Sequence, residues 1–356
     1  MIPMLSRERI LRMLDHREAD RIPVYDVPWQ GTLARWRREG LPADTDYVEY
    51  LGLDRFRLLY ADNSPRFESR TLEETERYRI YTTPWGQTLK SFRELDSTPE
   101  FIDCVIKDPD SWRKVKSRIA PDRDRIDWKG LERNYRKWRE DGTFLAADLY
   151  FGFDWMHSWV SSTETILIAL AEEPEWCAEM FHHFLDTHLA LFQMVLDAGF
   201  EFDAIRWPDD LGFKGRLFFS PDIYRGLLRP AHEKAARWAR ERGLKSMLHS
   251  CGYVEPLIED FIDIGIDCLN PIEVKAGMDP IALKRKYGAR IALYGGIDAS
   301  LLGEQEALTA RIREIVPIMK ENGGYIFSTD HSIPPSISLS DFQEVVRLAH
   351  ELGSYA

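Results

Sequence analysis

The chain has 356 residues, of which 44% are hydrophobic, and it carries a formal net charge of -12 with a pI near 5.3. This length supports a large core and fits one large barrel as well as two medium domains. The acidic balance argues against a nucleic-acid or anionic-membrane partner, because acids and bases alternate in the charged runs and form no basic patch.

The N-terminal stretch MIPMLSRERILRMLDHREADRIPV is charged and helical in pattern, with no apolar run long enough for a signal peptide. No segment of the sequence approaches the roughly 20 apolar residues that are needed to cross a bilayer. The cysteines are scattered and do not suggest a disulfide framework: Cys104, Cys177, Cys251 and Cys268. We therefore expect a cytoplasmic protein.

Eight short apolar segments alternate with helical patterns along the chain. The expected strands are Arg21–Asp26, Phe56–Ala61, Phe144–Tyr150, Phe202–Trp207, Lys245–His249, Asp267–Pro271, Ile291–Tyr294 and Tyr325–Ser328. Amphipathic helices are expected at Pro221–Arg242, Val254–Gly265, Pro280–Tyr287 and Glu304–Asn322. This alternation predicts a parallel sheet, and eight units favour a closed (β/α)8 TIM barrel over an open doubly wound sheet. We expect one such domain over residues 1–356.

Residues 66–142 depart from the repeat. Strand patterns alternate around the turn Pro84-Trp85-Gly86, and a helical pattern then continues to Asp141. This segment predicts a β-hairpin and a helical excursion inserted after the second strand. We expect the insertion to belong to the barrel domain and to lie near the barrel mouth.

Polar residues follow almost every expected strand. Since the interior of a (β/α)8 barrel is packed, its chemistry is confined to the C-terminal ends of the strands and the loops after them. Ordinary loop polarity explains any single acid well, but it explains the whole ring poorly. We expect catalytic roles for Asp209 and Asp330. The expected substrate-binding residues are Asp148, Tyr150, Asp210, Asn270, Glu273, Gly296 and Asp298.

The sequence His249-Ser250-Cys251 ends the fifth expected strand. Side chains two residues apart on an extended segment point the same way, so the imidazole and the thiolate can reach one ion. Nitrogen and sulfur are the ligands that zinc prefers, and a catalytic zinc needs a third protein ligand. His331, Asp330 and Cys268 are the candidates, and His331 ranks first because it ends the last strand. A packed histidine beside a core cysteine is the alternative.

The adjacent acids Asp209 and Asp210 follow the fourth expected strand. Neighbouring side chains on an extended backbone point to opposite sides, so at most one of the two faces the barrel axis. That acid can orient substrate or act as a general acid or base.

At these residues the sequence resembles the uroporphyrinogen decarboxylase superfamily. The resemblance includes SRERILRMLDHREADRIPV, DDLGFKGRLFFSPDIYRGLLRPAHEKAARWAR, LHSCGYVEPLIEDFIDIGIDCLNPIE, YGGID and GGYIFSTDHSIPPSISLSDFQEVV. It implies a (β/α)8 barrel, in agreement with the strand count.

The superfamily contains a metal-free haem-pathway decarboxylase, which grips acidic arms with an arginine-rich N-terminal segment, and cobalamin-dependent methyltransferases. This chain has YDVPWQGT after RIPV, without an arginine pair there. Zinc-dependent methyltransferase members bind the metal through H-x-C and a later cysteine. His249 and Cys251 match the H-x-C, whereas His331 takes the place of the later cysteine. The resemblance is therefore closer to the methyltransferases.

The resemblance implies methyl transfer between a corrinoid protein and a thiol at a zinc ion held by His249, Cys251 and His331. The methyl carrier would dock over the mouth, since the sequence shows no segment for carrying cobalamin. A metal-free variant would use tetrahydrofolate as the methyl acceptor. Dimers are common among such barrels, so a homodimer is a candidate assembly.

Two other functions stay open at this point. A decarboxylase of a carboxylated small molecule would need cations, for which Arg206, Lys214 and Arg216 are the nearby candidates. A barrel without activity could also serve as a binding partner of a corrinoid protein, because a shared fold does not fix function.

Overall fold

A computed structural model describes residues 4–93 and 98–355. Residues 94–97 of the predicted insertion, and residues 1–3 and 356 of the predicted domain, lie outside the described residues. The strands are β1 (Phe56–Leu59), β2 (Thr71–Glu74), β3 (Tyr78–Thr82), β4 (Gln87–Phe92), β5 (Glu100–Cys104), β6 (Phe144–Asp148), β7 (Ala204–Pro208), β8 (Gly212–Phe213), β9 (Arg216–Leu217), β10 (Lys245–His249), β11 (Cys268–Ile272), β12 (Ala292–Gly295) and β13 (Tyr325–Ile326).

The helices alternate with these strands along most of the chain. They are α1 (Ser6–Leu14), α2 (Gln30–Arg38), α3 (Tyr47–Leu51), α4 (Pro109–Val115), α5 (Trp128–Glu140), α6 (Gly152–Trp155), α7 (Thr163–Glu172), α8 (Pro174–Asp197), α9 (Pro221–Ile223), α10 (Arg229–Arg240), α11 (Ile258–Asp263), α12 (Pro280–Tyr287), α13 (Gln305–Met319) and α14 (Leu339–Gly353). Within the described residues, no helix combines the length and the apolar character that a membrane span requires.

Seven strands form one curled parallel sheet in the order β1-β6-β7-β10-β11-β12-β13. Parallel order with intervening helices confirms the predicted α/β barrel class. Strand β10 and helix α12 begin and end at the predicted residues. All the strand ends after which polar residues were noted therefore lie at one edge of the sheet.

The predicted first strand, Arg21–Asp26, is not a regular ladder strand, and this part of the prediction is corrected. Val24 makes an isolated parallel bridge to Phe327. The Tyr25 amide donates to the Phe327 carbonyl at 3.1 Å, and the Phe327 amide donates to the Pro23 carbonyl at 2.9 Å. Because Pro23 has no N–H, the segment cannot complete a ladder. It nevertheless lies in the eighth position of the barrel.

The insertion after β1 contains a four-stranded antiparallel sheet in the order β2-β3-β4-β5, which is larger than a single hairpin. Helices α4 and α5 follow it. Trp85 lies in the turn before β4, and its ring packs edge-on against Trp155 at 5.1 Å between centroids. Trp155 stacks in turn on Tyr150 at 3.9 Å. The insertion thus contacts the barrel beside the loop after β6.

The opposite end of the barrel is closed by helix α1. Its residues Ile10, Met13 and Leu14 are buried in a cluster with inward-facing side chains of the strands, among them Cys268 and Met247. Spacing of apolar residues at i, i+3 and i+4 gives the helix one apolar face. Cys268 is therefore a packed core thiol, and the strand ends at the other edge stay free for chemistry.

Candidate metal centre

Three possible metal ligands meet where β7 and β10 end. The Cys251 sulfur lies 3.6 Å from His249 Nε2, and Asp210 Oδ1 lies 3.9 Å from the same nitrogen. Donors at the usual zinc distances of about 2.0–2.3 Å lie roughly 3.3–3.8 Å from one another in a tetrahedral site. The group Asp210, His249 and Cys251 therefore has the donor types and the spacing of a site for a divalent cation.

A second group of donors shares the same thiol. Cys251 Sγ lies with Glu273 and His331 in a set whose ligating atoms are all within 4.8 Å of one another. Glu273 Oε1 and His331 Nε2 are 3.9 Å apart. The predicted ligands His249 and His331 thus fall in different groups that meet at Cys251. Asp210 and Glu273, which the sequence predicted to bind substrate, also belong to these groups of candidate ligands.

The His249 ring is oriented by the neighbouring strand. In the β10–β11 register His249 lies opposite Asn270, and its Nδ1 is 2.7 Å from Asn270 Oδ1. The Asn270 amide nitrogen points to the Tyr294 carbonyl at 3.4 Å, so Oδ1 accepts the imidazole proton. Nε2 then presents its lone pair to the Cys251 sulfur, which is the tautomer that a metal requires.

Burial sets the charge of this group in the metal-free protein. It lowers the pKa of His249, with the Arg206 charge acting in the same direction. Burial also raises the pKa of the Cys251 thiol well above its usual value, and the nearby Asp210 and Glu273 charges add to this effect. With these pKa shifts, His249 and Cys251 are both neutral in the metal-free protein. Binding of a cation by the Cys251 thiolate must therefore release the thiol proton.

The expected position of Asp209 at the mouth is corrected by the structure. Its carboxylate is fully buried behind the strand end, where it accepts bonds from His232 Nε2 at 2.8 Å and from the Asp154 amide at 2.7 Å. Adjacent side chains on an extended backbone diverge, and here Asp210 is the one that faces the donor group. Asp209 therefore does not reach the place where a substrate could contact it.

Asp330 lies at the mouth, but both of its oxygens are engaged. Oδ1 accepts from the Ala299 amide at 2.8 Å and Oδ2 from the Val274 amide at 3.1 Å, which joins the loops after three strands. His331 Nδ1 lies 3.4 Å from Oδ1. The hydrogen bond to Asp330 raises the pKa of His331. In many metal sites an oxygen acceptor behind a histidine ligand orients its ring, and Asp330 has the same position relative to the His331 ring.

A cavity of about 230 Å³ opens beside the two histidines. Aromatic and apolar side chains of the first segment (Arg21–Asp26) and of β1, β11 and β12 line the cavity together with several polar side chains. The lining residues include Tyr25, Asp26, Phe56, Leu58, Arg206, Asn270, Pro271, Tyr294 and Thr329. This mixture of an apolar body with few polar groups is typical of a small-molecule pocket.

Asp26, in the wall of this cavity, gives a testable pH dependence. Burial raises its pKa to about 6, although the Thr329 amide and hydroxyl donate to it. The folded state therefore holds the proton more tightly than the unfolded state, whose Asp pKa is about 3.9, so stability falls as the pH rises between these values. We expect wild type to lose about 2–3 kcal/mol relative to Asp26→Asn between pH 4 and pH 7. Urea unfolding at both pH values measures this, and parallel pH profiles would contradict it.

The remaining predicted substrate residues are spread around the rim and the interior. Asp148 accepts from Arg206 Nη1 at 2.8 Å inside the barrel. Tyr150 stacks on Trp155 and does not line the cavity. Gly296 has φ of +91°, and a Cβ there would lie 3.0 Å from Pro280 Cβ, so it serves a tight turn.

Asp298 also has a structural place. Its Oδ1 accepts from the Ser300 amide at 2.8 Å and so caps the short 3₁₀ turn Ala299–Leu301. Tyr25 and Tyr294, by contrast, were not selected from the sequence, although they line the cavity. Tyr294 lies in β12 near its C-terminal end, and this position could have indicated it.

The sequence region that contains all five donors matches a known family. The family model for uroporphyrinogen decarboxylase (URO-D) matches residues 156–352, more than half of the chain. The chain belongs to the uroporphyrinogen decarboxylase family. Curated uroporphyrinogen decarboxylases from Geobacillus kaustophilus (strain HTA426) and Bacillus cereus (strain B4264) are 27% and 25% identical over 139 and 132 residues. These matches span only 38% and 36% of this chain, and the same shares of the two relatives.

The fold of this family member is also similar to a solved methyltransferase from Methanosarcina mazei. The TM-score is 0.67 at 18% sequence identity, and the match covers 99% of this chain and 100% of that chain. At this identity the likeness shows the shared fold.

Proposed function

We propose that this family member is a methyltransferase that works at a zinc-assisted site, and that the chain acts as one cytoplasmic barrel domain. The observation that carries the proposal is the group Asp210, His249 and Cys251, with its imidazole already turned to present Nε2 to the sulfur. The fold similarity to the Methanosarcina mazei methyltransferase supports the reaction class.

The chain's own residues would hold the metal and the acceptor. A bound zinc would supply a lowered pKa for an acceptor thiol, which otherwise ionises near 8.5, so that a thiolate exists at neutral pH. Asn270 fixes the His249 ring, and the Asp210 carboxylate accepts from the Cys251 amide at 2.7 Å. The apolar walls of the cavity exclude water from the acceptor.

We further propose that the methyl group is exchanged with a corrinoid carried by a partner protein that docks over the cavity. The acceptor is either a small thiol or tetrahydrofolate. A folate acceptor should raise the melting temperature of the protein by binding only the folded state.

The test combines metal analysis with a methyl-transfer assay. Protein purified without chelator should contain zinc, and His249→Ala should lose at least tenfold in zinc affinity and in methyl transfer from methylcobalamin to 2-mercaptoethanol or tetrahydrofolate. His182→Ala is the matched control, because His182 is a half-buried histidine on helix α8. Absence of zinc, together with unchanged transfer in His249→Ala, would remove the mechanism.

Decarboxylation of a carboxylated small molecule is the second candidate, because Arg206 lines the cavity. Its guanidinium is already paired with Asp148, however. Lys214 and Arg216 are exposed on the β8–β9 hairpin and do not line the cavity. Arg206, which is already paired with Asp148, could not by itself bind a substrate with several carboxylates. Methyl transfer is therefore the favoured function. Release of carbon dioxide from a carboxylated tetrapyrrole or an aromatic acid would reverse this preference.

A further inference from the structure

The Cys251 thiol is shared by two groups of three candidate metal ligands. One set adds Asp210 and His249, and the other adds Glu273 and His331, so each consists of one carboxylate, one imidazole and the same sulfur. We propose that the cluster binds two divalent cations, most suitably zinc, bridged by the Cys251 thiolate. This inference rests on the proposed zinc site and adds a second metal position to it.

One ion cannot use all of these ligands in the observed arrangement. Within the part of the chain that the structure describes, no group of three or more donors mutually within 4.8 Å contains both His249 and His331. Two nitrogen ligands on opposite sides of one zinc are at most about 4.2 Å apart, since each Zn–N bond is about 2.0–2.1 Å. Two ions that share a sulfur at about 2.3 Å each fit the 3.5–4 Å spacing of metal pairs in enzymes.

Both histidines are prepared for metal binding in the same way. His249 Nδ1 is tied to Asn270 Oδ1 at 2.7 Å, and His331 Nδ1 lies 3.4 Å from Asp330 Oδ1. In each case an oxygen acceptor stands behind the ring and leaves the other nitrogen facing the candidate ligands: His249 Nε2 is 3.6 Å from the Cys251 sulfur, and His331 Nε2 is 3.9 Å from Glu273 Oε1. Oxygen acceptors behind metal-binding histidines orient the ring and raise its basicity.

Both carboxylates are also anchored beside the thiol. Asp210 Oδ1 accepts from the Cys251 amide at 2.7 Å, and Glu273 Oε2 accepts from the Gly252 amide at 2.5 Å. Glu273 Oε1 therefore remains directed to the His331 side. Neighbouring strands thus place one acid on each side of the sulfur, held by the same short loop.

The charges of the cluster favour a pair of cations. A Cys251 thiolate and the carboxylates of Asp210 and Glu273 are three negative groups, and Asp330 adds a fourth beside His331. Two divalent cations neutralise this set, whereas one cation leaves a surplus of negative charge in a partly buried place. The His331 side chain is 47% exposed and that of His249 is 26% exposed. The ion at the Glu273 side should therefore exchange faster.

The stoichiometry of the full-length protein titrated with Zn²⁺ tests the proposal. Equilibrium dialysis followed by elemental analysis is expected to give two zinc ions per chain in wild type. The variant Glu273→Gln with His331→Ala should retain one ion, and Asp210→Asn with His249→Ala should also retain one. His182→Ala and Cys268→Ala, which change a histidine and a thiol outside the cluster, should retain two. A wild type that saturates at one ion overturns the second position but leaves the proposed zinc site standing, whereas a wild type without zinc overturns both.

Bridging by the thiolate has its own measurement. In Co²⁺-loaded protein, coupling between the two ions through Cys251 should reduce the electron paramagnetic resonance signal per cobalt when the second equivalent binds. Cys251→Ser, which retains the shape of the side chain, should weaken both positions by at least tenfold. A signal that rises in proportion to cobalt through the second equivalent would overturn the bridge. So would two ions retained at wild-type affinity in Cys251→Ser.

Discussion

Replacing Gly252 by alanine is expected to destabilise the fold by about 2–5 kcal/mol and to weaken binding at the proposed zinc site. Gly252 follows Cys251 and has φ of +85°, where an L-residue costs about 1–2 kcal/mol. A Cβ at this position would also lie 2.1 Å from the carbonyl carbon of Gly212 in the β8–β9 hairpin. Such a clash forces backbone shifts that cost about 1–3 kcal/mol further. The loop that carries the Cys251 sulfur must then move.

Gly243→Ala is the matched control for this substitution. Gly243 also has a positive φ, +68°, but no heavy atom lies within 4 Å of a Cβ built there. We expect it to cost only about 1 kcal/mol and to leave zinc content unchanged. Urea unfolding and elemental analysis of both variants compare the two effects. Equal losses of unfolding free energy in the two variants would contradict the prediction, because they would show that the close approach of the Gly212 and Gly252 backbones does not add to the cost.

Removing the Asp54 side chain is expected to cost about 3 kcal/mol, because two buried donors, Arg9 Nη1 and the Val24 amide, lose their acceptor at about 1–3 kcal/mol each. Arg9 keeps its ion pair with Asp20 through Nε and Nη2. Asp54 is fully buried just before β1. Its carboxylate accepts from Arg21 Nη1 at 2.7 Å, from the Val24 amide at 2.8 Å and from Arg9 Nη1. Arg9 itself is only 4% exposed. Asp54→Ala thus removes one acceptor that holds helix α1, the first segment and β1 together.

An exposed pair on the same helix provides the control for Asp54→Ala. Glu8 and Arg12 form an ion pair at 3.2 Å, and their side chains are 55% and 40% exposed. Pairs in water contribute at most about 1 kcal/mol, so Glu8→Ala should change the unfolding free energy by no more than this. The comparison is made by urea denaturation at neutral pH. A loss below about 1 kcal/mol in Asp54→Ala would show that the buried network does not stabilise the barrel closure.

The barrel is predictable from the sequence because most of its strands are short, largely buried segments that are bounded by turn residues and followed by a helix. Parallel strands are buried on both faces and read as continuous apolar segments, as Phe144–Ala147 of β6 and the strand β12 do. The irregular pairing of the first segment, Arg21–Asp26, was harder to predict. An apolar pattern indicates that a segment is buried, but it does not show which backbone hydrogen bonds the segment makes. Pro23 removes one ladder donor, and only the fold reveals that the remaining bonds go to Phe327.

The candidate site was predictable where spacing alone determines direction. His249 and Cys251 are two residues apart on one extended segment, and the structure brings their ligand atoms together. The choice between Asp209 and Asp210 depends on the side to which the chain turns after Pro208, which is set by contacts with His232 on helix α10. Local pattern cannot supply that contact, so the sequence named both acids as site residues and could not tell which of the two faces the barrel axis.

The additional ligands depend on contacts between distant segments. Glu273 reaches the thiol because its loop follows β11, next to β10 in the sheet, and because the Gly252 amide holds it. His331 comes from the far side of the sheet, after β13. Shifts of a few ångströms in the loops after β11 and β13 decide whether these side chains come within ligand distance of Cys251. Residue type and position at a strand end predict the edge on which they lie, but not the set to which they belong.

The ion pair of Asp148 and Arg206 restricts how this barrel can vary. The two residues lie opposite each other in the β6–β7 register, and their charges cancel within the barrel interior, close to His249. Loss of Asp148 alone would expose His249 to an unopposed positive charge, and loss of Arg206 alone would leave a stranded anion beneath the ligands. Divergent and engineered variants of this protein should therefore change the two positions together. In a double-mutant cycle, the coupling energy between Asp148 and Arg206 should exceed that of the exposed pair Glu8–Arg12.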